Sequence, residues 1–142
     1  MTFSPRIDIV PAESEGAVRS AVFAGLRAFN EEHAGDSERR PLLVAAKDAD
    51  ERLIGGLVGE TAWGWLFIDL LWVAESKRRN GVGRDLVARA EEEALQRGCI
   101  GAFLDTLDFQ ARPFYEKLSY TVFGVQDDYP IGRSRAFLQK RF

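Results

Sequence analysis

Residues 65–106 read WLFIDLLWVAESKRRNGVGRDLVARAEEEALQRGCIGAFLDT, and this stretch carries both the architecture and the chemistry of the chain. WLFIDLLWVA is the longest apolar run, and its aromatic and branched residues favour a central strand over a helix. In GRDLVARAEEEALQRG, the residues Leu86, Val87, Ala90, Ala94 and Leu95 are expected on one helical stripe. Glu91, Glu92 and Glu93 turn mostly outward, and Gly98 suits the helix exit. CIGAFLDT then reads as a buried strand one helical crossover later, so the two strands are expected to be parallel neighbours.

Between strand and helix lies KRRNGVGRDL, Lys77–Leu86, which brings Lys77, Arg78, Arg79 and Arg84 together with two glycines in a chain of formal net charge −3. The first N–H groups of a helix have no intrahelical partner, and the helix dipole adds partial positive charge there. Gly81 and Gly83 allow close backbone approach, so phosphate is the expected guest. The bland alternative is a solvated basic turn. A P-loop needs Lys followed by Ser or Thr after its second glycine, and GVGRD has neither. A dinucleotide fingerprint needs a third small residue where Leu86 stands and a tight turn directly off the strand, yet seven residues separate Val73 from Gly81. What remains is Arg-x-x-Gly-x-Gly, Arg78 through Gly83.

The rest of the chain fills in around this core. With 142 residues and 46% hydrophobic composition, one domain over 1–142 is expected. With 19 basic against 22 acidic residues there is no general attraction to nucleic acid or anionic membrane. A single cysteine, Cys99, excludes an internal disulfide framework, no Cys/His cluster has metal-ligand spacing, and no stretch has a bilayer-spanning or export pattern. A reduced, cytoplasmic location fits. RIDIV alternates as a half-buried strand, and Val18, Val22, Leu26 and Phe29 then mark the core face of a long helix. LLVAAKD and RLIGGLVGETAW read as a hairpin joined by DADE, QARPFYEKL as a short helix with Pro113 in its first turn, and YTVFGV and RAFLQKRF as closing strands. The expected order is β-α-β-β-β-α-β-α-β-β, an α/β mixed sheet with helices on both faces.

The Arg78–Gly83 pattern resembles the pyrophosphate loop of the GNAT superfamily of N-acetyltransferases. In that family the loop follows a strand ending in a Leu-x-Val-like segment, and here LLWV ends five residues before Arg78. Downstream, ARPFYEKLSY resembles the family's Ala-x-x-Phe-Tyr-x-Lys-Leu-Gly-Tyr helix end, with Ser119 in place of Gly. The resemblance implies acetyl-CoA as co-substrate, no metal, and direct transfer to a primary amine of a small molecule or peptide; a homodimer is compatible with it. It implies that Arg78, Arg79, Asn80, Gly81, Val82, Gly83 and Arg84 surround the pyrophosphate. Leu71 and Val73, on a bulged and splayed strand, would hold the pantetheine arm. Asp108, where relatives often carry Asn, would contact a pantetheine amide. Tyr115 falls where the family places the general acid, and Asp69 where some relatives carry a base, although Tyr115 could simply pack and Asp69 simply pair. His33 and Glu60 could face the acceptor, or cap and solvate; Trp63, Trp65 and Trp72 could wall a pocket or fill a core, and Cys99 reads as a buried structural thiol. A CoA-binding module without turnover is the alternative.

Overall fold

Strand Trp65–Val73 sits in the middle of the architecture, as its composition requires. The computed structural model describes residues 2–142, which form helix α1 (Glu15–Ala34), strands β1 (Arg40–Lys47), β2 (Leu53–Ala62) and β3 (Trp65–Val73), helix α2 (Val82–Gln96), β4 (Gly101–Leu107), helix α3 (Arg112–Lys117), β5 (Thr121–Asp127) and β6 (Ser134–Arg141). The strands make one six-stranded mixed sheet in the order β1-β2-β3-β4-β6-β5. Only β3 and β4 run parallel, as the intervening helix demands; the other pairs are antiparallel. No helix among the described residues is long and apolar enough to cross a membrane.

The expectation of one domain over 1–142 meets a chain that divides into two compact units, Met1–Ser37 and Glu38–Phe142. In the first, α1 ends at Gly35, whose φ of 77° no other residue type takes so easily and whose N–H donates to the Glu31 carbonyl at 2.9 Å. Two expectations need correcting there. Residues 6–10 form no strand, and Ile7 and Ile9 are 88% and 100% exposed, because a strand without a partner has nothing to satisfy its backbone or cover its side chains. The stripe of Val18, Val22, Leu26 and Phe29 lies on α1 as spaced, but within Met1–Ser37 nothing covers it to make a core.

In Glu38–Phe142 the core forms where α2 crosses β1, β2 and β3, burying Leu86, Val87, Ala90 and Ala94 against Leu42, Leu57, Leu66, Ile68, Ala102 and Leu104. α3 adds Tyr115 to the same cluster. Leu95, expected on the buried stripe, is 54% exposed: it lies one residue, about 100° of helix rotation, past Ala94. Arg97 closes α2 by donating to the Pro41 carbonyl and to the hydroxyl of buried Thr61, both at 3.1 Å.

The β2–β3 register contains one bulge. Val58 faces Leu70 and Gly59 faces Ile68, which leaves Asp69 as the extra residue of β3. The bulge flips the side-chain parity, so Leu66 and Ile68 before it and Leu71 and Val73 after it all pack against the core. Gly59 makes this approach possible, since a Cβ there would stand 2.4 Å from the Phe67 carbonyl oxygen. Gly59→Ala is therefore expected to destabilise the fold by roughly 1–3 kcal/mol, read from chemical denaturation. A second position is strained in the opposite sense: Ser119, where the sequence motif usually has glycine, holds φ 74°. Ser119→Gly should stabilise by roughly 0.5–1 kcal/mol in the same measurement.

Candidate functional site

The bulge opens the sheet. β3 and β4 pair only from Trp65·Gly101 to Ile68·Leu104, and beyond that point the strands carry no mutual register. The free edge can be read from the neighbouring ladder. Ala74 donates its N–H to the Ile54 carbonyl at 2.8 Å, which makes that pair hydrogen-bonded, and antiparallel alternation then makes Gly56·Trp72 and Val58·Leu70 hydrogen-bonded as well. Leu71 and Val73 consequently turn their N–H and C=O groups away from β2, toward the gap. Arg78 Nε donates to the Val73 carbonyl at 3.1 Å, while the other three backbone groups face a cleft of about 1070 Å³.

At one end of the cleft lie Lys77, Arg78, Arg79, Gly81, Val82, Gly83 and Arg84. Glu75–Lys77 form a 3-10 turn, and the Asn80 side-chain amide donates to the Lys77 and Arg78 carbonyls at 3.2 and 3.1 Å, which fixes the loop. Gly81 caps α2 with φ 78°, and its carbonyl accepts the first helical bond from Asp85 at 3.0 Å. No side chain caps this helix, so the N–H groups of Val82, Gly83 and Arg84 keep no intrahelical partner. Gly83 brings the two sequence motifs together, because a Cβ there would sit 3.3 Å from the Phe114 ring.

Tyr115 lines the same cleft with only 6% exposure, its ring packed edge-on against Phe114 and Tyr120 with centroids 5.0 and 5.8 Å away. Its hydroxyl makes no hydrogen bond within the described residues, and no buried side-chain polar atom lacks a partner, so the hydroxyl opens on the cleft. Burial pushes its pKa up to about 12, which keeps the phenol protonated at neutral pH. Asp69 also lines the cleft; the bulge leaves it exposed, and among the described residues it has no ion pair or hydrogen bond, so the simple pairing that the sequence allowed is not what holds it.

Leu71, Val73 and Trp72 join the lining. The side chains of Asn80 and Asp108 do not. Asn80 spends its side chain inside the loop, and Asp108 is committed elsewhere: it accepts from Arg133 Nε at 2.8 Å and from the Ser134 N–H at 3.2 Å, pinning the start of β6. Glu60 is paired with Arg39 away from the cleft. In the first unit, the His33 Nδ1–H donates to the Phe29 carbonyl at 2.9 Å, a helix-end bond. Trp63 turns between β2 and β3, Trp65 packs edge-on against Phe103, and Cys99 is buried, which raises its thiol pKa. The sequence reading missed Asp105, which lines the cleft and pairs with Arg135 at 3.6 Å. It also missed Gln110, whose side-chain oxygen accepts from Thr106 Oγ1 and the Leu107 N–H at 3.2 and 2.8 Å. The alternation of FLDT placed Asp105 on the face opposite Leu104 and could have flagged it.

These features define a cleft with open helix N–H groups and basic side chains at one end and a protonated phenol further along. The chain belongs to the GNAT family of acetyltransferases: the model of that family, described as "Acetyltransferase (GNAT) family", matches residues 12–120. The chain is 41% identical over 135 residues to acetyltransferase Atu2258 of Agrobacterium fabrum, covering 95% of this chain and 96% of that protein. It is 47% identical over 107 residues to blasticidin-S acetyltransferase of Streptomyces morookaense, covering 72% and 79%. A crystal structure of an acetyltransferase from Bacillus cereus superposes with a TM-score of 0.84 at 29% identity, covering 97% of this chain and 98% of that one. The chain is thus an enzyme, an N-acetyltransferase by family.

The buried phenols have a measurable consequence for stability. Tyr115 and Tyr120 both have pKa values raised by burial, the latter also by Glu91, and the raised Cys99 thiol acts in the same direction. Their stabilisation is fully present below the unfolded-state values, 10.0 for tyrosine, and is lost as pH rises toward about 12 because the unfolded chain ionises first. Melting temperature should hold to about pH 9 and fall steeply above pH 10, and Tyr115→Phe should make that fall shallower.

Proposed function

We infer that the enzyme transfers an acetyl group from acetyl-CoA directly to a primary amine within a ternary complex, with residues 1–142 serving as one acetyltransferase domain. One observation carries this reading: a single cleft runs from the unpartnered N–H groups at the start of α2, past the edge of Leu71 and Val73 that β4 leaves unpaired, to the Tyr115 phenol. A diphosphate suits the first end, where backbone donors, the helix dipole and the charges of Lys77, Arg78, Arg79 and Arg84 act together. The amide-bearing arm of CoA matches the unpaired edge of β3, and an N–H of that edge aimed at the thioester oxygen would stabilise charge growing there.

In the reaction the amine nitrogen bonds to the acetyl carbon and the carbon–sulfur bond breaks. Tyr115 supplies a proton to the departing sulfur, and the surplus proton on nitrogen passes to Asp69, directly or through water. The products are an N-acetyl amide and CoA thiol. Asp69, which has no ion pair among the described residues, gives the cleft a negative charge that favours an amine acceptor. The likeness to blasticidin-S acetyltransferase makes an antibiotic amine the first acceptor to try.

Thiol release from acetyl-CoA, followed over a panel of amines that includes blasticidin S, tests the reading. At least one amine should support turnover; if none does while CoA still raises the melting temperature, the protein binds without catalysing. With an active amine, Tyr115→Phe should lower kcat about 100-fold and leave KM for acetyl-CoA within about twofold. Equal losses in both would remove Tyr115 from its role as proton donor.

A further inference from the structure

Tyr115 presents a puzzle of orientation. Its hydroxyl has no protein partner, so nothing bonded to the reacting end holds it in place. The helix that carries it, α3, has six residues and is followed by strained Ser119, so it is too short to be rigid by itself. Phe114, one of its two ring contacts, belongs to the same helix and moves with it. The other contact, Tyr120, comes from beyond the helix.

Tyr120 is 3% exposed and anchored at both ends. Its N–H donates to the Tyr115 carbonyl at 3.1 Å. Its hydroxyl donates to Glu91 Oε2 at 3.1 Å, and the same carboxylate accepts from Lys140 Nζ at 2.8 and 3.0 Å. The Lys140–Glu91 pair is itself largely sequestered, with side-chain exposures of 24% and 14%. Such a pair contributes little net stability compared with an apolar one of similar volume, so its value here is geometric. Glu91 stands on α2, roughly 13 Å along the axis from Val82 at 1.5 Å per residue. The helix whose open end faces the anion therefore also carries the anchor of the phenol.

We propose that Tyr120, held by the Glu91–Lys140 pair, is a positioning residue that fixes the Tyr115 ring relative to the start of α2. This rests on Tyr115 being the proton donor. The pair ties α2 and β6 to the segment leaving α3, so the distance from bound diphosphate to phenol is set by one rigid helix rather than by the short one. Tyr120 touches no substrate, and its effect on rate passes entirely through Tyr115.

The test compares Tyr120→Phe, which keeps the ring, with Glu91→Leu/Lys140→Met, which replaces the ion pair by apolar side chains, each made alone and together with Tyr115→Phe. In both, kcat should fall about tenfold, KM for acetyl-CoA should stay within about twofold, and no further fall should appear on the Tyr115→Phe background. The melting temperature of Tyr120→Phe reports whether the fold persists, and its kcat is the deciding value if the apolar pair does not fold. Unchanged kcat in a folded variant, or losses that multiply with Tyr115→Phe, would overturn the positioning role. If Tyr115→Phe itself leaves kcat unchanged, the proton-donor reading fails and this inference falls with it.

Discussion

The pairing of β3 with β4 stops at Ile68·Leu104, and the rest of the site depends on that interruption. A continuous parallel ladder would have consumed the N–H and C=O groups of Leu71 and Val73 and closed the space between the strands. One extra residue, Asp69, and one missing side chain, at Gly59, are enough to prevent it. The same bulge keeps Leu71 and Val73 packed on the core while their backbone edge stays open, so the sheet gains a cleft without giving up its apolar face.

Helix α2 answers the gap from the side. Its middle is fixed by burial of Leu86, Val87, Ala90 and Ala94, and its first turn packs through Val82 while carrying no side-chain cap. Gly83 then allows Phe114 to approach that turn and brings α3, with Tyr115, into the same wall. Open helix donors, unpaired strand edge and protonated phenol thus follow from three local deviations: a bulge, an uncapped helix and a glycine that lets an aromatic ring come close.

Much of this was legible in the chain. WLFIDLLWVA had to be a central strand because no other segment is apolar enough to sit between two neighbours, and the KRRNGVGRDL loop announced itself by charge and glycine spacing. Less legible were residues whose role depends on a distant partner. Asp108 carries suitable chemistry by sequence, yet the Arg133 guanidinium and the Ser134 N–H engage its side chain. RIDIV alternates like a strand but forms none, since alternation states which face would be buried and not whether an edge is available to pair.

By itself, then, the sequence determined the order of the elements after the first helix, the parallel crossover, the glycine-rich basic loop that opens α2 and the position of the tyrosine, because periodicity, glycine placement and charge act over a few residues. The tertiary structure alone decided that Asp69 is exposed at a bulge, that Asp105 reaches the cleft, that Asp108 does not, and that Glu91 and Lys140 meet at Tyr120. These outcomes join residues far apart in the chain, and register and packing across strands, which no local pattern encodes, set which of them meet.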